Sequence, residues 1–141
     1  MIQRIQSLWL LIVALAAFAT YTLTLYVGLL PDNSERKFLL ADDFLLVIII
    51  IALGILALIC MFLFKNRKLQ FRLSVFGVLF SIGFLFLEYL KVEGFKKEFA
   101  VSTGSYQIGA LLPLIMVIFF FLAARGIYKD EKLVKSLDRL R

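Results

Sequence analysis

The chain has no histidine and a single cysteine, Cys60, among its 141 residues. Without histidine there is no His-ligated haem, no His-based metal site and no imidazole general base. A lone cysteine cannot form an intramolecular disulfide or a CxxC redox pair. No glycine-rich phosphate loop and no GxSxG elbow occurs. Proline is scarce, with two residues, and charged residues make up 18% of the chain. The carboxylates fall in connections, in the tail or at the edge of an apolar run, so no diacidic centre is expected among the apolar segments. These absences point away from an enzyme and predict no catalytic residue, no metal ligand and no cofactor.

Apolar sequence is what remains. Hydrophobic residues are 62% of the chain, against about 45–50% in soluble globular proteins. Leu8 to Leu30 is 23 residues without a formal charge, and Phe44 to Phe64 is 21. Leu73 to Leu90 is 18 residues broken only by Glu88, and Ile108 to Ala124 is 17. A helix needs about 20 apolar residues to cross a hydrocarbon layer of about 30 Å. The expected fold is an all-α integral membrane protein, a single domain over residues 1–141. Four spans, at about 8–30, 44–64, 73–90 and 108–127, form an antiparallel bundle, because short connections favour adjacent neighbours. Residues 128–141 are expected to form a short amphipathic tail.

The net charge of +6 does not indicate nucleic acid, because the basic residues flank the spans. Eleven of the 16 Lys and Arg fall in the N-terminal segment, the connection after the second run and the tail. The positive-inside rule therefore puts both termini in the cytoplasm. Ala17-Phe18-Ala19 imitates a signal-peptide cleavage site. The apolar run continues well past the ~7–15 residues of a signal core, so the first span is expected to stay as a helix.

Along the chain, Trp9 and Tyr26 suit the aromatic belts at the two membrane interfaces. Pro31-Asp32-Asn33-Ser34 reads as a stop and a turn. Asp42 and Asp43 stand where they can cap the second span. Lys65-Asn66-Arg67-Lys68 reads as a topology anchor, with anionic-lipid binding as the alternative. Ser74, Gly77 and Ser81 share one helix face, and Gly77 with Ser81 is a small-xxx-small packing pair. Gly109 and Pro113 are further packing candidates early in the fourth span. Glu88 is the one acid inside an apolar run. Its spacing to Lys91 suggests an interfacial ion pair, and the alternative is an intramembrane ion site. Phe95 and Phe99 suggest a short interfacial helix with both rings in lipid, and residues 101–105 read as turn.

In the tail, Leu133, Val134, Leu137 and Leu140 make a leucine stripe, backed by mixed charge that includes Asp130, Glu131 and Asp138. That combination suits protein docking better than anionic lipid alone. The segments Met1-Ile2-Gln3-Arg4-Ile5-Gln6-Ser7, Tyr106-Gln107-Ile108-Gly109-Ala110 with Leu112-Pro113-Leu114, and Asp130-Glu131-Lys132-Leu133-Val134-Lys135-Ser136 with Asp138-Arg139-Leu140-Arg141 carry a family likeness. In them the chain resembles an uncharacterised Bacteroidota membrane family catalogued as a domain of unknown function. The resemblance implies a four-span inner-membrane protein and no particular activity.

The functional expectation is a non-catalytic multi-pass inner-membrane protein, a subunit or assembly factor of a larger membrane complex. Its partners would be lipids and a membrane protein or further copies of itself. The alternative is a small oligomeric transporter or channel component, against which stands the scarcity of polar residues inside the spans.

Overall fold

In every helix a row of buried residues recurs at steps of three and four. The computed structural model describes residues 2–138, and for residues 2–4, 135, 137 and 138 the backbone alone. The helices are α1 (Ile2–Thr22), α2 (Phe44–Phe62), α3 (Arg67–Glu98) and α4 (Ile108–Asp138). Three strands join them, β1 (Thr24–Leu29), β2 (Glu35–Leu39) and β3 (Thr103–Tyr106). Gln6, Leu10, Val13, Ala17 and Thr20 line the inner face of α1. Leu46, Ile50, Leu53, Ala57 and Cys60 line that of α2. A seam of period 3.5 matches a long, gently supercoiled helix–helix contact. Helix α1 packs on α2 and α4, and α3 packs on the same two. All four helices are long and apolar enough to cross a membrane, and α2 has a mean hydropathy of 3.4.

Close approach between α3 and α4 depends on Gly77. A Cβ there would lie 2.6 Å from Cε1 of Phe120, so the ring of Phe120 fills the notch that glycine leaves. Ser81 turns its hydroxyl inward and donates to the Gly77 carbonyl at 2.8 Å. Gly77 therefore lies at a helix contact, and Ser81 is buried on the same face. Gly109 lies against the backbone carbonyl of Thr24, at the join between α1 and β1. Pro113 is buried at the sixth position of α4.

The strands correct the all-helical expectation. The run from Leu8 to Leu30 is not one span. Helix α1 stops at Thr22, after 21 residues, about 31 Å, which already suffices to cross. Thr24, Tyr26 and Val27 are poor helix formers that suit an extended chain, and Gly28 disfavours helix. They form the central strand of a sheet ordered β2-β1-β3, antiparallel on both sides. The turn between β1 and β2 puts Asn33 at φ 61°. Asp32 accepts hydrogen bonds there from the Ser34 hydroxyl at 2.7 Å and its amide at 3.0 Å. Those bonds hold the Asp32 carboxyl below the usual carboxylate range. Residues 103–105 of the segment expected to turn form β3 instead, together with Tyr106.

The sheet closes one end of the helices. It receives the C-terminal ends of α1 and α3 and feeds α2 and α4. Tyr26 is buried at its centre and not in an interfacial belt, its ring edge-on to Phe95 at 6.3 Å and to Tyr106 at 5.2 Å. Helix α3 does not end near Leu90 but runs to Glu98, 32 residues in all. Phe95 and Phe99 therefore face the sheet: Phe95 meets Phe38 at 5.3 Å, and Arg36 lies 3.8 Å above the Phe99 ring. The tail is likewise no separate helix. Helix α4 continues from Ile108 through Tyr128 to Asp138 without a break, because Arg125 to Asp138 contains no proline and only one glycine to interrupt it.

Gly77→Leu should cost about 1–3 kcal/mol, the usual range for overfilling a packed contact. Gly83, with nothing within 4 Å of an added Cβ, should accept Ala without loss. Thermal unfolding in detergent separates the two, and equal melting temperatures would refute the role given to the Gly77 notch.

Candidate functional site

The inner face of α3 is unusually polar. Gln70, Ser74, Gly77, Ser81, Phe84, Glu88, Val92 and Phe95 are buried along it. Gln70 and Ser81 have hydrogen-bond partners, whereas the Ser74 hydroxyl and the Glu88 carboxyl have none. Gln70 donates from Nε2 to the Cys60 carbonyl at 2.9 Å, which joins α3 to α2 near the end away from the sheet. Thr20, on α1, donates to the Ala16 carbonyl at 2.8 Å.

Glu88 differs from these. It is 3% exposed, and neither carboxyl oxygen has a hydrogen-bond partner. The expected interfacial pair with Lys91 is not made. Lys91 instead reaches across to α2, where its Nζ lies 2.6 Å from Oδ2 of Asp43. The reason is angular: three residues along a helix turn Lys91 about 60° away from Glu88, toward the start of α2, while Glu88 stays on the seam.

Asp43 is the N-cap of α2. Its Oδ1 accepts from the amides of Leu45 at 3.0 Å and Leu46 at 3.2 Å. These are two of the amides a helix start leaves without partners. Partial burial pushes the Asp43 carboxyl up, but the Lys91 ammonium and the two amides outweigh it and hold it below its ordinary range. One side chain thus caps α2 and clasps it to α3.

Beside this clasp a groove of about 570 Å³ opens at the sheet end. Arg36, Lys37 and Leu39 of β2 form one wall, and Leu90, Gly94 and Glu98 of α3 the other. Asp42 at its edge is already engaged, accepting from the Leu39 amide at 2.9 Å.

The opposite end carries a polar contact made by Asp130, one of the acids expected on the mixed-charge back of the leucine stripe. Asp130 is buried and accepts from Nε2 of Gln6 at 2.7 Å, across α1 and α4. Beyond it, Leu133 and Val134 are 48% and 43% exposed. Of the remaining stripe, the Leu137 side chain and all of Leu140 lie outside the described residues.

A family model described as Domain of unknown function (DUF4293) matches residues 2–140. The chain belongs to that family. No curated protein and no solved structure matches it. The membership agrees with the resemblance read from the sequence and brings no activity with it. Among the described residues no group of three His, Cys, Asp or Glu side chains is placed to hold a metal ion.

Burial of Glu88 and Asp130 was within reach of sequence reasoning. Glu88 stands seven residues after Ser81, and Asp130 seven after Ala123, so each continues a seam at the period of the helix contact. Nothing in the sequence pattern pairs Lys91 with Asp43, because that contact depends on how α2 and α3 align.

Replacing Asp43 by Ala should cost about 0.5–2 kcal/mol, the usual effect of losing a cap. The Asp43 carboxyl is depressed below its ordinary 3.8, so its contribution is present at neutral pH. It is lost as the pH falls below that ordinary value through the depressed one. The melting temperatures of wild type and Asp43→Ala should therefore differ at pH 7 and converge in acid. A gap that persists unchanged at low pH would contradict the ionised clasp.

Proposed function

We propose that this is a non-catalytic, four-span protein of the bacterial inner membrane that serves a larger membrane assembly. In this reading the four helices form an antiparallel bundle across the bilayer, with both termini in the cytoplasm and the sheet outside. The distribution of basic residues supports that orientation. Lys65, Arg67, Lys68, Arg72, Arg125, Lys129 and Lys132 cluster at the end opposite the sheet, as the positive-inside rule requires of the cytoplasmic side.

One observation carries the docking role. Helix α4 is 31 residues long, about 46 Å, against the ~30 Å of a hydrocarbon core. Its excess lies at the basic end, past the Gln6–Asp130 contact, and presents Leu133 and Val134 to solvent. Apolar residues on a charged, rigidly extended helix suit a partner's groove. The Gln6–Asp130 hydrogen bond fixes the angle at which that extension leaves the other helices.

Two measurements test this reading. A reporter active only outside the cytoplasm, fused after Arg141, should be silent; activity would reverse the orientation. Leu133→Asp combined with Val134→Asp should abolish co-purification of the assembly in mild detergent while insertion and melting temperature stay unchanged. Recovery of the same partners in the same amounts would end the docking proposal.

A further inference from the structure

The Glu88 carboxyl is enclosed at a level of the structure that offers no countercharge. The contact of Lys91 with Asp43 aligns α3 with α2 and puts Glu88 level with Leu46. The contact of Gly77 with Phe120 aligns α3 with α4 and puts Glu88 level with Gly109, which abuts the Thr24 carbonyl. Neither residue at that level offers a side-chain donor, and neither Glu88 carboxyl oxygen has a hydrogen-bond partner. On the packed elements the charged and titratable groups are few. Helix α1 has no charge from Ile5 to Thr22 and one titratable group there, Tyr21, which is 45% exposed; α4 has neither before Arg125. Toward the sheet stand Asp42, Asp43, Lys91, Glu93, Lys96, Tyr26 and Tyr106. Of these, Asp42 is engaged by the Leu39 amide, Asp43 by Lys91, and Glu93 by Lys96 at 2.7 Å.

A carboxylate without a cation or donors is very costly inside such a medium. The neutral acid is the form that this arrangement accommodates. The nearest cation that could replace the proton is Lys91, one helical turn away on the same strand of chain. While Lys91 is held on Asp43 at 2.6 Å, the Glu88 carboxyl has no partner.

We propose that Glu88 is a proton-binding site inside the helices and that the Lys91–Asp43 clasp is its gate. With the proton on Glu88, Lys91 stays on Asp43 and holds the start of α2 to α3. When the Glu88 O–H bond breaks and the proton passes to water at the sheet end, the Lys91 ammonium turns inward to the new carboxylate. Asp43 then keeps its cap on α2 but loses its hold on α3. Rebinding of a proton restores the clasp. The site does not depend on the docking role of α4, and its failure would leave that role untouched.

Infrared difference spectroscopy of the full chain in lipid nanodiscs tests this. Wild type minus Glu88→Gln at neutral pH should show the carbonyl stretch of a protonated carboxylic acid. Gln is close in shape, so helix content should be equal in both. Asp43→Asn, which frees Lys91, should weaken that band at a given alkaline pH, and Lys91→Met, which removes the substitute cation, should preserve it. No protonated band in wild type would overturn the site. A band indifferent to both Asp43→Asn and Lys91→Met would overturn the gate.

Discussion

Strand β1 is the element on which the arrangement of the helices depends. It continues directly from α1, and its two edges hydrogen-bond to β2, which leads into α2, and to β3, which leads into α4. Its Tyr26 ring rests on Phe95 near the end of α3. One six-residue strand is thus linked to every helix, directly or through the strand beside it. A backbone ladder is a strict constraint, because each buried amide and carbonyl must find a partner. The register of β1 with β2 and β3 therefore sets the relative heights at which α1, α2 and α4 begin or end.

From those heights the interior contacts follow. Asp43 arrives opposite Lys91, Gly109 against Thr24, and Phe120 in the Gly77 notch. The same alignment leaves Glu88 in a layer of apolar neighbours. Its isolation is a consequence of register. A shift of about one turn between α2 and α3 would bring Asp43 to its level. The two ends of the helices then differ in character. The sheet end is closed by strands, aromatic rings and a clasp. The basic end is joined by Gln6–Asp130 and Gln70–Cys60, with α4 running on past them.

Much of this was legible in the residues. Four apolar segments, their order and the turn at Pro31–Ser34 could be read directly, because hydrophobic length and turn chemistry are local properties. The shared buried face of Gly77 and Ser81 was legible for the same reason: spacing alone places them on one side of the helix. The strand at Thr24–Leu29 was not, since an apolar run is compatible with helix or strand until a pairing partner is known. Phe95 and Phe99 illustrate the same limit. Their spacing of four describes a helix face correctly but does not say whether lipid or a sheet covers it.

What the sequence determined by itself is therefore the chemistry available: helices able to span, basic residues gathered in particular connections, and no imidazole or second thiol to build a conventional catalytic centre. What only the tertiary structure decided is which polar groups meet. Lys91 could have served Glu88 or Asp43, and Asp130 could have faced solvent or Gln6. Each choice depends on the height and rotation of one helix against another, which long-range strand pairing and side-chain interlocking set together. Those quantities have no local signature, because residues far apart in the chain must first be brought to one level before either contact can form.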